Sequence, residues 1–266
     1  MLHFLFLLVL VVVGLCLVLM WREPRLLYYP DRTPFPTPRG FTDLNLTTSD
    51  GVRIHGWYLP GPANAPVTVL ILHGNAGNLS HREEKIAHFH DLGAHVCIID
   101  YRGYGRSAGT PNEAGTYRDA QAAYEYLASQ SSNIVVYGES LGSAVAVELA
   151  TRVPVAGLIL EEGFTSVGDI AQSLFPFLPV RYLVRNKYDS VRKLPGLHVP
   201  ILIFHSRDDE VAPYRHGERL FAAANQPKTF IPLRGSHNEA FVTSATEYRQ
   251  GLERFMNGLV AGRRSE

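Results

Sequence analysis

The residues with most to say about chemistry are Gly138-Glu139-Ser140-Leu141-Gly142. This Gly-x-Ser-x-Gly spacing puts a serine between a β-branched run, Val135-Val136-Tyr137, and a stretch of helical composition, Ser143 to Ala150. On so tight a turn the flanking segments pass closely enough that only glycine fits, and the serine hydroxyl stands clear at a helix start. The free N–H groups of that helix then face any negative charge building on an attacked carbonyl oxygen. The chemistry implied is nucleophilic acyl transfer, with Ser140 as the nucleophile. Chance alone produces this pentapeptide in roughly one chain in ten of this length, so its setting and its partners carry the argument.

Serine is a weak nucleophile near neutral pH and needs a base within reach. His237, in Gly235-Ser236-His237-Asn238, is one of 11 histidines and follows the last predicted strand. Functional groups of doubly wound sheets gather at such carboxyl ends. A carboxylate must also hold the imidazole in its productive tautomer. The strand end at Ser206-Arg207 is followed by three candidates, Asp208, Asp209 and Glu210. Serine, acid and histidine then occur in the chain order expected of a hydrolase built on this turn. An oxyanion hole needs two N–H donors. Leu141 supplies one, and Asn75, in the turn His73-Gly74-Asn75-Ala76-Gly77-Asn78, supplies the other. His73 is expected to brace that turn.

The elements that must position these groups follow from hydropathy. Two alternating runs, 43–48 and 53–59, flank Asp50-Gly51 and predict a β-hairpin. Continuous apolar runs predict buried strands at 67–72, 95–100, 133–138, 156–161, 200–205 and 228–232. Helices are expected near 80–92, opened by a Ser80/Glu83 capping box, and near 115–129, 143–152, 214–224 and 239–258. The pattern predicts an α/β fold with an eight-stranded, mostly parallel sheet flanked by helices. Residues 163–199, containing Phe175-Pro176-Phe177-Leu178-Pro179, form an excursion too long for an idle loop and are expected to be a small lid or pocket wall.

At 266 residues, 46% of them hydrophobic, the chain can hold one α/β domain of ordinary size. The formal net charge is zero, so no long-range field argues for nucleic acid. Cys16 and Cys97 lie in apolar runs without zinc or redox spacing. His81, His88 and His90 invite a metal reading, but position 90 faces away from the other two and no carboxylate pair completes the set. No metal or cofactor is expected.

Residues 4–21 carry no charge, and as a helix would rise about 27 Å against a hydrocarbon core of roughly 30 Å. No Lys or Arg precedes this run and no small-x-small site follows it, which argues for an uncleaved anchor over a signal peptide. Trp21, Tyr28 and Tyr29 suit a membrane interface, and Arg22 and Arg25 place the catalytic domain on the cytoplasmic side. The expected organisation is a single-pass membrane anchor at 1–21, a Pro-rich linker at 22–40, a catalytic domain at 41–260 and a basic tail at 261–266.

Together these residues resemble the α/β-hydrolase superfamily, and within it the Bem46-like, membrane-anchored branch. The likeness rests on His73 to Asn78, Tyr101-Arg102-Gly103-Tyr104-Gly105 with Ser107, and Gly138 to Gly142. It continues through Glu162-Gly163-Phe164-Thr165-Ser166, His205 to Pro213 and Gly235 to Asn238, covering about residues 25–258. The family signature His-Gly-x-x-Asp-x-x-Val-Pro falls on His205 to Pro213 and implies that Asp209 is the acid. Ser206 and Ala212 depart from it, and neither is a reacting group. The resemblance further implies hydrolysis of an ester, thioester or amide through an acyl-enzyme, without cofactor. Its substrate would be a small-molecule or lipid acyl compound, or an acylated protein. The rival readings are an amide-cleaving serine peptidase and a catalytically silent binding protein on the same fold.

Overall fold

The computed structural model describes residues 2–263. Helix α1 (Leu2–Leu27) leads into a two-residue strand β1 (Tyr29–Pro30) and the hairpin β2 (Thr42–Thr47) and β3 (Arg53–Leu59). Then follow β4 (Thr68–Leu72), β5 (Ala76–Gly77), α2 (Glu83–Asp91), β6 (His95–Ile99), α3 (Glu113–Ala128), β7 (Ile134–Glu139), α4 (Leu141–Ala150) and β8 (Gly157–Glu161). Three short helices come next, α5 (Val167–Leu174), α6 (Val180–Leu183) and α7 (Ser190–Lys193). The chain closes with β9 (Ile201–Ser206), α8 (Arg215–Ala223), β10 (Lys228–Leu233), α9 (Ala240–Thr243) and α10 (Ala245–Arg263).

Eight strands form one sheet in the order β10-β9-β8-β7-β4-β6-β3-β2, and every pairing is parallel except β2–β3 and β3–β6. The expected α/β architecture is present, with strand bounds close to those read from the apolar runs. All residues of β4, β8 and β9 are buried, because helices cover both faces. Alternate side chains feed two cores: Leu70, Leu72, Val136, Leu158 and Leu160 on one face, Val69, Ile71, Val135, Tyr137 and Ile159 on the other. Each such aliphatic side chain contributes on the order of 2 kcal/mol by leaving water.

Helix α4 lies so close to β7 and β4 that side chains are excluded at two points. A Cβ on Gly138 would sit 2.3 Å from the Gly142 carbonyl oxygen, and one on Gly142 only 1.9 Å from that of Leu72. This contact fixes the turn that carries Ser140.

The N-terminal expectation needs correction. The helix does not stop at Trp21 but runs through Pro24 to Leu27, where the Tyr28 N–H reaches the Pro24 carbonyl at 2.9 Å. Glu23 is buried and accepts the N–H groups of Arg185 and Asn186 at 2.8 and 2.7 Å. The last turns of α1 therefore belong to the globular domain, leaving an uncharged stretch shorter than the hydrocarbon core. Among the described residues no helix is long and apolar enough to cross a membrane, so the transmembrane span expected at 1–21 is not found. The first half of the expected linker is likewise structured, since β1 pairs in parallel with β5.

Three smaller corrections concern helix ends. Ser80 does not cap α2; Asn78 caps a preceding 3-10 turn, Leu79–Arg82, by accepting the Ser80 N–H. The closing helix breaks at Ser244, whose hydroxyl accepts the Arg234 N–H at 2.8 Å. It then extends to Arg263, into the expected tail, of which residues 264–266 lie outside the described residues. The excursion at 163–199 is built from α5, α6 and α7, and exposes Phe175, Phe177 and Tyr182.

Candidate active site

Ser140 caps α4 with φ 50° and ψ −113°, a left-handed region that costs a side-chain-bearing residue on the order of 1–3 kcal/mol. The Ser140 N–H to Glu161 carbonyl bond at 2.8 Å and the glycine contacts hold it there. His237, on the turn after β10, brings its Nε2 to 3.0 Å from Ser140 Oγ. Its Nδ1 lies 2.7 Å from Asp209 Oδ2. The three side chains, far apart in sequence, thus form one hydrogen-bonded chain at the carboxyl edge of the sheet.

The three acids after β9 separate by what they touch. Asp209 alone meets the imidazole, with its Oδ1 accepting the N–H groups of Val211 and Ala212 at 2.8 and 2.7 Å. Asp208 instead pairs with Arg234 at 2.9 Å, and Glu210 accepts the His237 backbone N–H at 3.1 Å. Both neighbours brace the loop that presents His237.

Electrostatics poise this chain for proton transfer. Burial pushes the Asp209 carboxyl up, but hydrogen bonds from His237 and Glu162 outweigh it and leave it below the ordinary range. Burial pulls the His237 imidazole down, while the Asp209 hydrogen bond and the charges of Asp209, Glu139 and Glu210 raise it above its ordinary value overall.

Of the two expected oxyanion donors, Leu141 directly follows Ser140 and Asn75 directly follows Gly74. Among the described residues neither the Leu141 nor the Asn75 backbone N–H has a hydrogen-bond partner. Gly74 lies against Ser140: a Cβ there would be 3.6 Å from Ser140 Cβ. Asn75 is immobilised on its other sides. Its carbonyl accepts the Tyr29 N–H at 2.9 Å and the Tyr104 hydroxyl at 2.7 Å, and its Nδ2 donates to the Leu27 carbonyl at 2.8 Å. His73 is buried, with Nδ1 2.7 Å from the Gly74 carbonyl and its ring against Tyr101 and Tyr104. It braces the turn, as expected.

Sequence reasoning quoted Glu162 within the family likeness but gave it no role. It follows β8 with φ 48°, is fully buried, and takes the Ser206 N–H on both carboxyl oxygens at 2.9 and 3.0 Å. Burial, then the adjacent Asp209, push its carboxyl well above the ordinary range. The available signal was an acidic residue directly after an apolar strand on the same sheet edge as Ser140. Among the described residues, Glu162, Asp209 and His237 form the one group of three metal-type donors, with one atom from each inside 4.8 Å. His237 and Asp209 already spend those atoms on each other and on Ser140.

One recess adjoins the site, and a second is lined in part by Tyr29, which bonds to Asn75. A cleft of about 440 Å³ is lined by Arg82, Lys85, Glu139, Glu161, His237 and Phe241. Its less exposed charges are paired, Arg82 with Glu139 at 3.0 Å and Lys85 with Glu161, which also accepts the Tyr248 hydroxyl at 2.7 Å, while Glu83 and Glu84 line it exposed. A groove of about 280 Å³ runs between the end of α1 and helices α5 and α6, lined by Leu19, Leu26, Tyr29, Ile170, Ala171 and Leu183 among others.

A family model described as serine aminopeptidase, S33, matches residues 63–181. The chain is 37% identical over 263 residues to the uncharacterized protein Rv2307c of Mycobacterium tuberculosis, covering 93% of this chain and 92% of that one. It is 32% identical over 290 residues to the alpha/beta hydrolase domain-containing protein WAV2 of Arabidopsis thaliana, covering 96% and 94%. It is also 34% identical over 234 residues to protein bem46 of Schizosaccharomyces pombe, covering 79% and 77%. Among solved structures, the Pyrococcus furiosus esterase Pf2001 superimposes with a TM-score of 0.75 at 17% identity, over 88% of this chain and 98% of that one, a likeness of fold.

Proposed function

The chain belongs to the Bem46-like branch of the α/β-hydrolase superfamily, and on that premise we propose that it is a serine hydrolase cleaving an acyl ester or thioester through an acyl-enzyme on Ser140. The observation that carries this reading is the continuous chain from Ser140 Oγ to His237 Nε2 at 3.0 Å and from His237 Nδ1 to Asp209 at 2.7 Å. His237 takes the hydroxyl proton as Oγ attacks the acyl carbon. Asp209 holds the Nδ1–H tautomer and stabilises the imidazolium. The carbonyl oxygen becomes an oxyanion between the Leu141 and Asn75 N–H groups, where loss of one donor typically costs about 3–4 kcal/mol of barrier. His237 then protonates the departing alcohol or thiol. Water repeats the sequence to release the acid.

The acyl preference is supported by the groove. Tyr29 lines it and also bonds to Asn75, whose neighbour Gly74 abuts Ser140. At about 30 Å³ for a water-sized group, its volume suits a hydrocarbon chain of roughly nine methylenes. Attachment to a lipid surface, with the domain on the cytoplasmic side, is part of the same proposal. Helix α1 exposes Phe4, Phe6, Leu10, Leu17 and Trp21 on its outer surface, more contiguous apolar area than a helix in water usually presents. Flotation of the full chain with liposomes checks this part, and a chain that stays with the soluble fraction refutes it.

A second reading, peptide-bond cleavage at a free amino terminus, is favoured by the description of the matching family model. An amino terminus needs an uncommitted carboxylate held at the site; Glu139 and Glu161 already pair with Arg82 and Lys85, and the remaining two of the cleft, Glu83 and Glu84, are exposed to solvent. Esters therefore rank first. A fluorophosphonate probe is expected to label the wild type and spare Ser140→Ala, and p-nitrophenyl esters to be turned over faster than aminoacyl p-nitroanilides. Equal labelling of both chains would remove Ser140 as nucleophile. Absence of turnover across all acyl lengths would favour a silent binding protein.

A further inference from the structure

We propose that Glu162 is a positioning residue for the Ser140–His237–Asp209 chain, carrying a proton at working pH and donating it to Asp209. The inference rests on the reading of those three residues given above. Its first support is backbone cost. Glu162 holds φ 48°, a region that glycine adopts freely and a side-chain-bearing residue does not. The side chain must return more than that strain.

The second support is what surrounds it. Facing its carboxyl are Asp209, His205 and the Ser206 N–H, with Glu161 and His237 further out. Among the described residues no Lys or Arg pairs with Glu162 or Asp209. His205 does not supply a charge either. Its Nε2 lies 2.7 Å from the Ala212 carbonyl and so carries hydrogen, its buried Nδ1 has no partner, and burial holds its imidazole below the ordinary value. Two carboxyl groups with oxygens within 4.8 Å of each other, in a dry site without a cation, do not both ionise.

Which one keeps the proton follows from their partners. Asp209 accepts two backbone N–H groups and the imidazole N–H, all of which favour its anion. Glu162 has a single N–H donor shared across both oxygens. The proton therefore resides on Glu162 and points at Asp209, which stays anionic and fixed towards His237.

The test uses the full chain, with Glu162→Gln and Glu162→Ala read by pH profiles and infrared spectroscopy. Gln keeps the neutral donor, so kcat should stay within about threefold of wild type and the acid limb of kcat/KM should not move. Ala removes the donor, so kcat should fall roughly tenfold or more with KM nearly unchanged. The wild type should show a protonated-carboxyl stretching band that Glu162→Gln abolishes. An acid limb that moves to lower pH in Glu162→Gln would mean that a negative charge had been removed, and would overturn the proposal. So would a carboxyl band indifferent to the substitution, or activity lost on treatment with a chelator, which would make the cluster an ion site. If Glu162→Ala does not fold, the Gln variant and the band still decide. A failure of the nucleophile reading appears separately, as probe labelling of Ser140→Ala, and leaves the infrared result standing.

Discussion

Two recesses of the molecule differ in kind. The cleft beside His237 is walled by charges: Arg82 bonds Glu139 and also the Ala76 carbonyl, Lys85 is buried against Glu161, and Glu83 and Glu84 stand exposed. The groove beside Tyr29 is walled by aliphatic side chains of α1, α5 and α6, and its one carboxylate, Glu23, is occupied by backbone N–H groups. A hydrocarbon entering the cleft would strip water from polar groups without replacing it, while the groove gains from losing water. Under the proposed function, the acyl chain belongs to the groove and the polar leaving group to the cleft.

The largest effect expected from disturbing this contrast is on the cleft. Lys85→Met strands the buried Glu161 carboxylate and should cost about 3–5 kcal/mol of stability, measured by urea unfolding. Acyl-length preference should survive it, and a change in that preference would break the division of labour. Next is the groove. Ala171→Trp fills it and should lower kcat/KM for decanoyl esters roughly thirtyfold, equivalent to about 2 kcal/mol of lost chain burial, with acetyl esters within twofold. Equal loss on both would show that the chain lies elsewhere.

A smaller effect is expected where α1 is tied down. Glu23→Gln weakens charge-assisted hydrogen bonds worth about 1.5–3 kcal/mol together with their geometry. It should reduce decanoyl turnover several-fold more than acetyl turnover. The smallest difference expected is none at all. His237 must be neutral to accept the serine proton, and its imidazole is raised above the ordinary value. Both esters should therefore lose kcat/KM as pH falls through one common limb lying above pH ~6.5. Separate limbs for the two esters would mean that the acyl chain alters the base.

Much of this was legible in the sequence, for a physical reason. Parallel strands buried on both faces leave unbroken runs such as Val67 to Leu72, and the reacting groups sit where those runs end. Asp209 could not be told from Asp208 and Glu210 by residue type, because the distinction is which carboxylate faces the imidazole. Only family spacing or coordinates supply that. The full extent of α1 was hidden because the uncharged run stops before Arg22, whereas the helix continues to Leu27 with Glu23 docked on the Arg185–Asn186 backbone. The β1–β5 pairing is two residues long and has no periodicity to detect. Glu162 was named in the family likeness without a role, because no sequence pattern tells that a strand-end carboxyl is buried beside Asp209.

The bond from Tyr29 to Asn75 has a practical consequence. The leading helix is not a detachable handle: Leu27 and Tyr29 hold two of the three bonds that keep Asn75 in place. A version trimmed past Tyr29 for easier purification would keep the nucleophile and its base and still react with an aggressive phosphonate. It would turn over esters poorly, because one of the donors receiving the oxyanion would have lost its moorings. Shortened chains meant for kinetic work should begin no later than Glu23.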